Sequence, residues 1–504
     1  MKTDDPGERS SRQKEEVLDA VLWKWTKHQD PWTVRDAVEG VQVFGATGSG
    51  KTSGSGAAIA SAFLNGGREC TFGGLVLTAK QDDFAAWTAP DGYLAKAKRS
   101  DALIEISPEQ DGCFNFLSYE FNRPRDEGGQ LTHNVVSLLL SALTSDAATV
   151  SREDPYWNEA LRELLTHAVD LLVLATQDEA GHAHLGLDLL FKLVRSAPQT
   201  PAEAMSGAWR STSQCAQYLV EAERRRDGGT AYAPGRDLDL TETQSYWLQD
   251  FPRLSDRTRS VVVSSFTAKV AGLLRHPLRK LFCSDPSRDN PAWRPESSFV
   301  GKVIVLNLPV MTYGEVGRIV QLLYKGVWQR AVRRRRFAGP WTPVFLWADE
   351  SQYFVTRDDM LFQQTARSQL CSTVYLTQNL PNYYAALDGS GGTAATDSLL
   401  GNLQTKVFHA NGEPATNEWA QRVFGQTRTT HETTYLHGKE DGSSTPAFDY
   451  VIPAIRFGAL QKGGPARRVG AYVFQAGRPW RGAGTTSSER ELVHYHEFQQ
   501  PDVT

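Results

Sequence analysis

Short apolar runs and helical patterns alternate along the first 110 residues. VQVF at 41–44 precedes a glycine-rich turn and the apolar stretch AAIASAFL, and the runs in GGLVLTAKQDD and DALIEISPEQ follow. A short apolar run bounded by turn residues is typical of a buried strand, and strands that alternate with helices form parallel sheets. The pattern therefore predicts an α/β fold.

The pattern changes between about residues 130 and 285. Long helical patterns follow one another here, as in YWNEALRELLTHAVDLLVLA, and strand-like runs resume at KVIVLNLP (302–309), TPVFLWADE (342–350) and CSTVYLTQN (371–379). The simplest interpretation is a core with a mainly parallel sheet, interrupted by an inserted all-α domain. The predicted divisions are an N-terminal tail and helix (1–35), the first part of the core (36–125), the all-α domain (126–290), the second part of the core (291–480) and a C-terminal tail (481–504).

The two ends of the chain carry weaker patterns. Residues 1–15 are predicted to be a flexible polar tail, and 15–29 to be a packing helix that stops before Pro31. The stretch from about 430 is rich in Thr, Gly, His and Ser, which indicates loops, and a last short strand is expected near 467–477.

Composition and charge exclude some classes of protein. The chain has 504 residues, 40% hydrophobic content and a net charge of −4, so a contact with nucleic acid would need local patches such as RRR at 224–226 or RRRR at 333–336. The second run could equally be a solvated basic face or a helix cap. The five cysteines form no C-x-x-C pair, and no secretory leader or membrane span is recognisable. We therefore expect a cytoplasmic protein that does not itself cross a membrane.

The most informative motif is GATGSGKT at 45–52, which follows a predicted strand and opens a predicted helix. It matches the P-loop pattern, in which glycine backbone N–H groups surround phosphate oxygens and the helix N-terminus adds positive charge. Lys51 would reach the β- and γ-phosphates of ATP, and the Thr52 hydroxyl would bind Mg²⁺. The predicted nucleotide-binding residues are Gly45, Thr47, Gly48, Ser49, Gly50, Lys51, Thr52 and Ser53.

Two later strands end in polar residues suited to ATP hydrolysis. VFLWADE places Asp349 to hold Mg²⁺ and Glu350 to activate water as a general base, although a surface carboxylate pair is the simpler alternative. CSTVYLTQN places Gln378 where its amide could sense the γ-phosphate, although it could also cap a turn. Between these strands, MLFQQTARSQL carries Arg367, either a surface ion pair or an arginine finger that completes a neighbouring subunit's site.

These motifs, in this order, resemble the conjugative coupling ATPases of type IV secretion (TraG/TraD-like), within the HerA/FtsK superfamily. FNFLSYE, DPYWNEALRELLTHAVDLL, LWADESQYF and LLGNLQTKVFHANGEPATNEWAQRVFG extend the resemblance over residues 40–480. The resemblance implies a RecA-like P-loop NTPase core, a hexameric ring and ATP-driven movement of DNA. It also implies that Arg367 acts across the subunit boundary.

Two departures from that family affect the expectations. Its typical members carry N-terminal transmembrane helices, which are not seen here, and they have Asp and Pro before the lysine that corresponds to Lys80, where this chain has Thr78 and Ala79. No role is therefore assigned to Lys80.

Three functions remain open from the sequence. The first is a DNA translocase of mobile-element transfer, with a relaxase or a membrane-anchoring subunit as partner. The second is the same motor in anti-phage defence or DNA processing with a partner effector. The third is a nucleotide-dependent assembly platform that recruits protein partners.

Overall fold

The structure is a computed structural model that describes residues 6–25, 30–66, 70–144, 155–228, 236–282, 285–336, 341–388, 393–433, 443–478, 480 and 493–500. The strands are β1 (Val21–Lys24), β2 (Pro31–Thr33), β3 (Val41–Phe44), β4 (Gly73–Leu77), β5 (Leu103–Ile106), β6 (Val303–Leu306), β7 (Val344–Ala348), β8 (Cys371–Thr377), β9 (Thr405–His409), β10 (Gln426–Thr433), β11 (Ser443–Tyr450), β12 (Arg468–Gln475) and β13 (Val493–Gln499).

The helices are α1 (Pro6–Asp19), α2 (Val34–Ala37), α3 (Ala57–Asn65), α4 (Gln81–Thr88), α5 (Tyr93–Lys96), α6 (Phe116–Phe121), α7 (Thr132–Leu143), α8 (Pro155–Thr176), α9 (Leu187–Arg195), α10 (Pro201–Ala204), α11 (Gly207–Thr212), α12 (Gln214–Gly228), α13 (Asp237–Ser245), α14 (Phe251–Arg253), α15 (Asp256–Leu273), α16 (Val310–Arg334), α17 (Arg357–Ala366), α18 (Leu380–Tyr383), α19 (Ala394–Gly401), α20 (Pro414–Phe424) and α21 (Ile455–Gly458).

A large sheet organises the part of the chain that the structure describes. Its nine strands lie in the order β13-β12-β9-β3-β8-β7-β4-β6-β5. All neighbours from β9 to β5 are parallel, and β12 pairs antiparallel with both β9 and β13. The prediction of an α/β fold with a mainly parallel sheet is confirmed. Because strands distant in sequence lie side by side, β3, which precedes the GATGSGKT motif, lies between β9 and β8 in the middle part of the sheet.

The central strands are apolar throughout because both faces of the sheet are covered. In β7, Leu346 and Ala348 enter one buried cluster, while Phe345 and Trp347 enter the other. One cluster includes the apolar faces of α7, α8 and α16, and the second includes α3 and Trp32. A strand buried on both faces has no polar alternation, which is why its sequence is a continuous apolar run.

Between β5 and β6 the described residues form helices and short 3₁₀ turns, without a strand. The long helix α8 is the centre of this helical region, since it packs against α7, α12, α13 and α15. The apolar side chains of these helices continue the buried cluster on one face of the sheet. The helical region is thereby joined to the core through a shared hydrophobic interior.

Predictions for the chain ends are corrected at three places. The expected polar tail contains α1, which begins at Pro6, and the expected helix over 15–29 gives way at Val21 to β1, which pairs with β2. Aromatic side chains from this hairpin pack against β13, as the contact between Trp25 and Phe498 shows, so tertiary packing overrides the helical pattern.

The region from 430, which was expected to form loops, contains the last part of β10 and the whole of β11. These two strands pair in an eight-residue antiparallel ladder. Threonine-rich segments favour strands as well as turns, and the composition did not distinguish the two. Strand β13 lies in the expected C-terminal tail. The stretch 434–442 lies outside the described residues.

Among the described residues, the cysteines at positions 70, 113, 215 and 371 are buried. Burial raises the pKa of the Cys70 thiol to about 12, so this group stays protonated at neutral pH. These cysteines act as small apolar groups in the core. Cys283 lies outside the described residues.

Candidate nucleotide-binding site

The P-loop follows the end of β3 and leads into a π-helical turn over Lys51–Gly56. Gly48 and Gly50 adopt φ values of 73° and 87°, in the left-handed region that favours glycine. A Cβ on Gly50 would lie 2.5 Å from Val469 of β12. The motif therefore needs glycine at position 50 both for the turn and for close packing against the neighbouring strand.

The two predicted Mg²⁺ ligands lie side by side. The Thr52 Oγ1 donates a hydrogen bond to Asp349 Oδ2 at 2.5 Å, and the backbone N–H of Glu350 donates to Asp349 Oδ1 at 2.9 Å. Asp349 directly follows β7 and is buried. A hydroxyl and a carboxylate are the hard oxygen ligands that Mg²⁺ prefers, and the structure places these two side chains in direct contact.

Glu350 is the centre of the site. Its side chain is 2% exposed, and its backbone lies in the left-handed region at φ 49°. Its Oε1 accepts from the Nζ of Lys51 (3.4 Å), the Nζ of Lys80 (2.8 Å) and the Nε2 of Gln378 (3.2 Å). Its Oε2 accepts from the Nε2 of Gln352 at 3.0 Å and from Gln378 at 3.4 Å. Residues from four segments of the chain thus converge on one carboxylate.

The charge state of Glu350 follows from this environment. Burial disfavours its ionised form, but the positive charge of Lys51 and the hydrogen bonds from its other partners outweigh burial and lower its pKa to about 2. The carboxylate is therefore ionised at neutral pH, and its acceptor positions are engaged by donors within the chain. A water molecule would need one of these donors to leave before it could bind there.

Two further contacts fix the amides around Glu350. The Oγ1 of Thr377 donates to Gln352 Oε1 at 2.8 Å, which turns the NH₂ group of Gln352 toward Glu350. The Nδ2 of Asn411 donates to the backbone carbonyl of Gln378 at 2.9 Å. The end of β8 and the segment after β9 therefore hold the predicted sensor amide in place.

The residues present fit a bound magnesium nucleotide. The Ser49 hydroxyl is buried without a hydrogen-bond partner among the described residues, and a Cβ on Gly48 would meet no atom within 4 Å. A cleft of about 720 Å³ continues from the loop, lined on its far side by Tyr93, Lys96 and Arg467. The loop thus combines an unsatisfied polar group and open space at its turn with an adjoining cleft that suits a nucleotide.

Arg367 lies elsewhere. It follows the last residue of α17, its side chain is 59% exposed, and its Nη1 is 3.2 Å from Glu39 Oε1. It precedes β8, whereas Gln378 follows β8, and seven strand residues span roughly 23 Å. The structure therefore separates Arg367 from the cluster around Glu350 in the same chain.

Two of the donors to Glu350 were not predicted from the sequence. Lys80 was left without a role because the residues before it depart from the family pattern, yet it makes the shortest contact with Glu350. Its place after β4, beside β7 in the sheet, was a usable indication. Gln352 was not singled out, and only its position two residues after Glu350 pointed to it.

A buried histidine beneath the P-loop helix was also missed. His409 Nε2 lies 2.8 Å from Ser55 Oγ, which also donates to the Lys51 carbonyl. Burial lowers the pKa of His409 to about 3, so the ring is neutral. It supports the first turn of the helix and does not carry charge toward the phosphates.

Six of the seven arginines in the two runs have partners within the chain. The side chains of Arg224 and Arg225 both pair with Glu221, and Arg334 forms a two-point contact with the buried carboxylate of Glu120. Other members of the runs pair as follows: Arg226 with Asp227, Arg335 with the Thr342 carbonyl and the Phe299 ring, and Arg336 with Asp126. The run at 333–336 therefore joins α16 to its neighbours.

Comparisons with known proteins identify the fold. No protein-family model and no curated protein sequence matches the chain. Among solved structures, the unbound monoclinic form of the bacterial conjugative coupling protein TrwBdeltaN70 matches at TM-score 0.60 and 13% identity, over 98% of this chain and 91% of that one.

Nucleotide complexes of the same protein match as well. TrwB with ADP and Mg²⁺ gives TM-score 0.58 at 14% identity, covering 98% of this chain and 93% of TrwB, and the complex with a non-hydrolysable ATP analogue gives 0.57 at 14%, covering 98% and 92%. Within the described part of this chain, no helix has the length and apolar character needed to cross a bilayer. The predicted resemblance is confirmed at the level of the fold, and the chain has the α/β fold of the solved conjugative coupling protein structures.

Proposed function

We propose that this protein is a Mg²⁺-dependent ATPase that assembles into a hexameric ring and uses ATP hydrolysis to move DNA. The observation that carries the proposal is the meeting of the P-loop residues Lys51 and Thr52 with the Asp349–Glu350 pair. The fold likeness to TrwB, which has been solved with ADP and Mg²⁺, supports the choice of nucleotide and metal.

Binding of ATP is the first part of the proposed mechanism. The glycine-rich backbone over residues 45–50 surrounds the phosphates, and Lys51 leaves Glu350 to neutralise the terminal ones. Thr52 and Asp349 hold Mg²⁺, which supplies charge stabilisation at the phosphate oxygens. Departure of Lys51 removes one donor from Glu350 and so prepares its carboxylate for a water molecule.

Hydrolysis follows from the position of Glu350. Its carboxylate orients the attacking water and accepts its proton, while Gln378 donates a neutral hydrogen bond at the γ-phosphate side. Arg367 completes the site of the neighbouring subunit, while in its own chain it pairs with Glu39 at the opposite end of β8 from Gln378. Each site is therefore shared between two subunits.

DNA is the proposed substrate of the motor, on the strength of the fold likeness. In this proposal residues 126–290 form a helical domain mounted on the core, and the phosphate contacts come from residues other than the paired arginines at 224–226 and 333–336. Such contacts would give sequence-independent and salt-dependent binding.

The test is ATP turnover by the purified protein with single-stranded DNA, double-stranded DNA or neither, together with mass determination with nucleotide. We expect turnover that DNA stimulates and a hexameric species. A protein that stays monomeric under every condition, with a rate that DNA leaves unchanged, would contradict the proposed ring translocase.

A further inference from the structure

The two oxygens of Glu350 are held in different ways. Oε2 accepts from two neutral amides, those of Gln378 and Gln352, and the Gln352 amide is itself held by Thr377. Oε1 accepts from three side chains, two of them ammonium groups. The availability of Glu350 to a water molecule therefore depends on which donors leave Oε1.

Two of the three side chains that donate to Oε1 have other roles in the proposed function. Lys51 moves to the terminal phosphates, and Gln378 faces the γ-phosphate. Lys80 has no such duty, and its Nζ is also the closest of the three to Oε1, at 2.8 Å against 3.4 Å for Lys51. Lys80 is thus the donor that continues to occupy Oε1 after ATP has bound.

The surroundings of Lys80 allow its ammonium group both to hold the contact with Glu350 and to release it. Its backbone N–H donates to Asp83 Oδ2 at 2.8 Å, and the neighbouring Ala79 N–H donates to the same oxygen at 3.0 Å. The side chain is 38% exposed, while that of Glu350 is 2% exposed. A fixed backbone with a partly solvated, flexible stem lets the ammonium move while Glu350 stays in place.

We propose that Lys80 is a positioning residue that occupies Glu350 Oε1 and suppresses ATP hydrolysis until its ammonium group withdraws. The inference rests on the proposed function. Withdrawal is the step that DNA binding or a neighbouring subunit would favour, so the Lys80–Glu350 contact links the state of the ring to the general base.

The test compares Lys80→Met with wild type in ATP turnover at saturating Mg²⁺ and ATP, without DNA. Methionine keeps a stem of similar length but removes the donor. Because a hydrogen bond to a charged group is lost, we expect kcat to rise about tenfold while KM for ATP stays within about twofold. Stimulation by DNA should shrink by the same factor.

Three further variants separate a positioning role from other roles. Lys80→Arg restores a donor and should return the rate toward wild type, and Lys192→Met, on the exposed surface of α9, should leave it unchanged. Combining Lys80→Met with Glu350→Gln should give the low rate of Glu350→Gln alone, because Lys80 acts through that carboxylate.

The contrary outcomes are distinct. A fall in kcat would make Lys80 a contributor to the transition state, a rise in KM would make it a phosphate ligand, and no change would make the contact structural; each overturns the inference. Wild-type protein without ATP turnover under any condition contradicts the proposed function, and an equally inactive Lys80→Met variant then contradicts the Lys80 inference as well.

Discussion

Two carboxylates, the buried Glu350 in the core and the partly buried Asp170 in the helical region, differ in how their surroundings affect the charged form. Glu350 receives hydrogen bonds from four side chains, and its pKa is lowered to about 2 despite burial. Asp170 on α8 accepts one described hydrogen bond, from Thr132 Oγ1 at 2.5 Å, and burial raises its pKa to about 6. The same chemical group is thus stabilised as an anion in one region and destabilised in the other.

The difference shows that burial alone does not identify a functional carboxylate. Around Glu350, cations and amides from separate strand ends converge, which is an arrangement that packing does not require. Around Asp170, the neighbours are helices whose apolar faces form the core, and the Thr132 hydroxyl and the charge of Arg236 offset burial only in part. Convergence of donors from distant parts of the sequence therefore distinguishes the candidate site from the interior of the helical region.

The largest expected effect comes from Glu350→Gln. The amide keeps the shape of the side chain but cannot accept a proton from water, so turnover should fall on the order of 10³-fold. ATP binding, measured by calorimetry, should persist because Lys51 and Thr52 are unchanged. Asp170→Asn serves as the control and should retain turnover. Comparable loss in both variants would remove the distinction between the two carboxylates.

Arg367→Ala tests whether the site is shared between subunits. Turnover should fall on the order of 10²-fold, because the removed guanidinium supports charge in the transition state. Mixing this variant with Glu350→Gln subunits should recover part of the activity, since some interfaces then carry an intact pair. Absence of recovery in mixtures that form rings would place Arg367 outside the neighbour's site.

Gln378→Ala should have a smaller effect, about tenfold in kcat. Its amide contributes one neutral contact to each oxygen of Glu350, whereas the cations carry most of the charge compensation. Gln217→Ala, on the exposed surface of α12, is the matched control. Equal kcat values for the two variants would show that the Gln378 side chain does not contribute to ATP turnover.

The core was more predictable than the ends of the chain, for a physical reason. Strands buried on both faces have continuous apolar sequences, the P-loop begins directly after one of them, and the candidate residues Asp349 and Gln378 directly follow two others. Val21–Lys24 forms a strand only because aromatic residues distant in sequence pack against it. That information is not contained in a local window.

The candidate site was predictable only in part, for a similar reason. The P-loop and the acidic pair have recognisable spacing, and they occupy neighbouring positions as expected. Lys80 and Gln352 carry no spacing rule, and their relevance depends on how β4 and β8 lie next to β7. Strand order, which local sequence does not specify, therefore decided which donors reach Glu350.

The pH dependence of stability should differ between wild type and Asp170→Asn. The folded-state pKa of Asp170, about 6, lies above its ordinary value of 3.8. Its ionisation therefore destabilises the fold as pH rises through 6, and protonation restores that stability as pH falls. Asp170→Asn should raise the melting temperature by a few degrees at pH 8 and by little at pH 4.

The control for this pH effect is Glu179→Gln, in the exposed loop after α8, which should follow the wild-type curve. Scanning calorimetry between pH 4 and pH 8 measures all three proteins. Parallel curves for wild type and Asp170→Asn would show that the Asp170 carboxylate does not change its protonation in this range.

The smallest expected effect concerns the arginine run at 224–226. Because Arg224 is paired with Glu221 and Arg226 with Asp227, replacing both arginines with glutamine should leave DNA affinity unchanged. The salt dependence of binding is the decisive measurement, since each phosphate contact contributes about 0.9 to the slope of log K against log salt concentration. An unchanged slope means that these arginines stabilise α12 locally, whereas a slope reduced by nearly 2 means that they leave their acidic partners for DNA. The second result would mean that charged residues of the helical region also converge on a ligand, as those of the core do. The contrast between the core and the helical region would then be weaker.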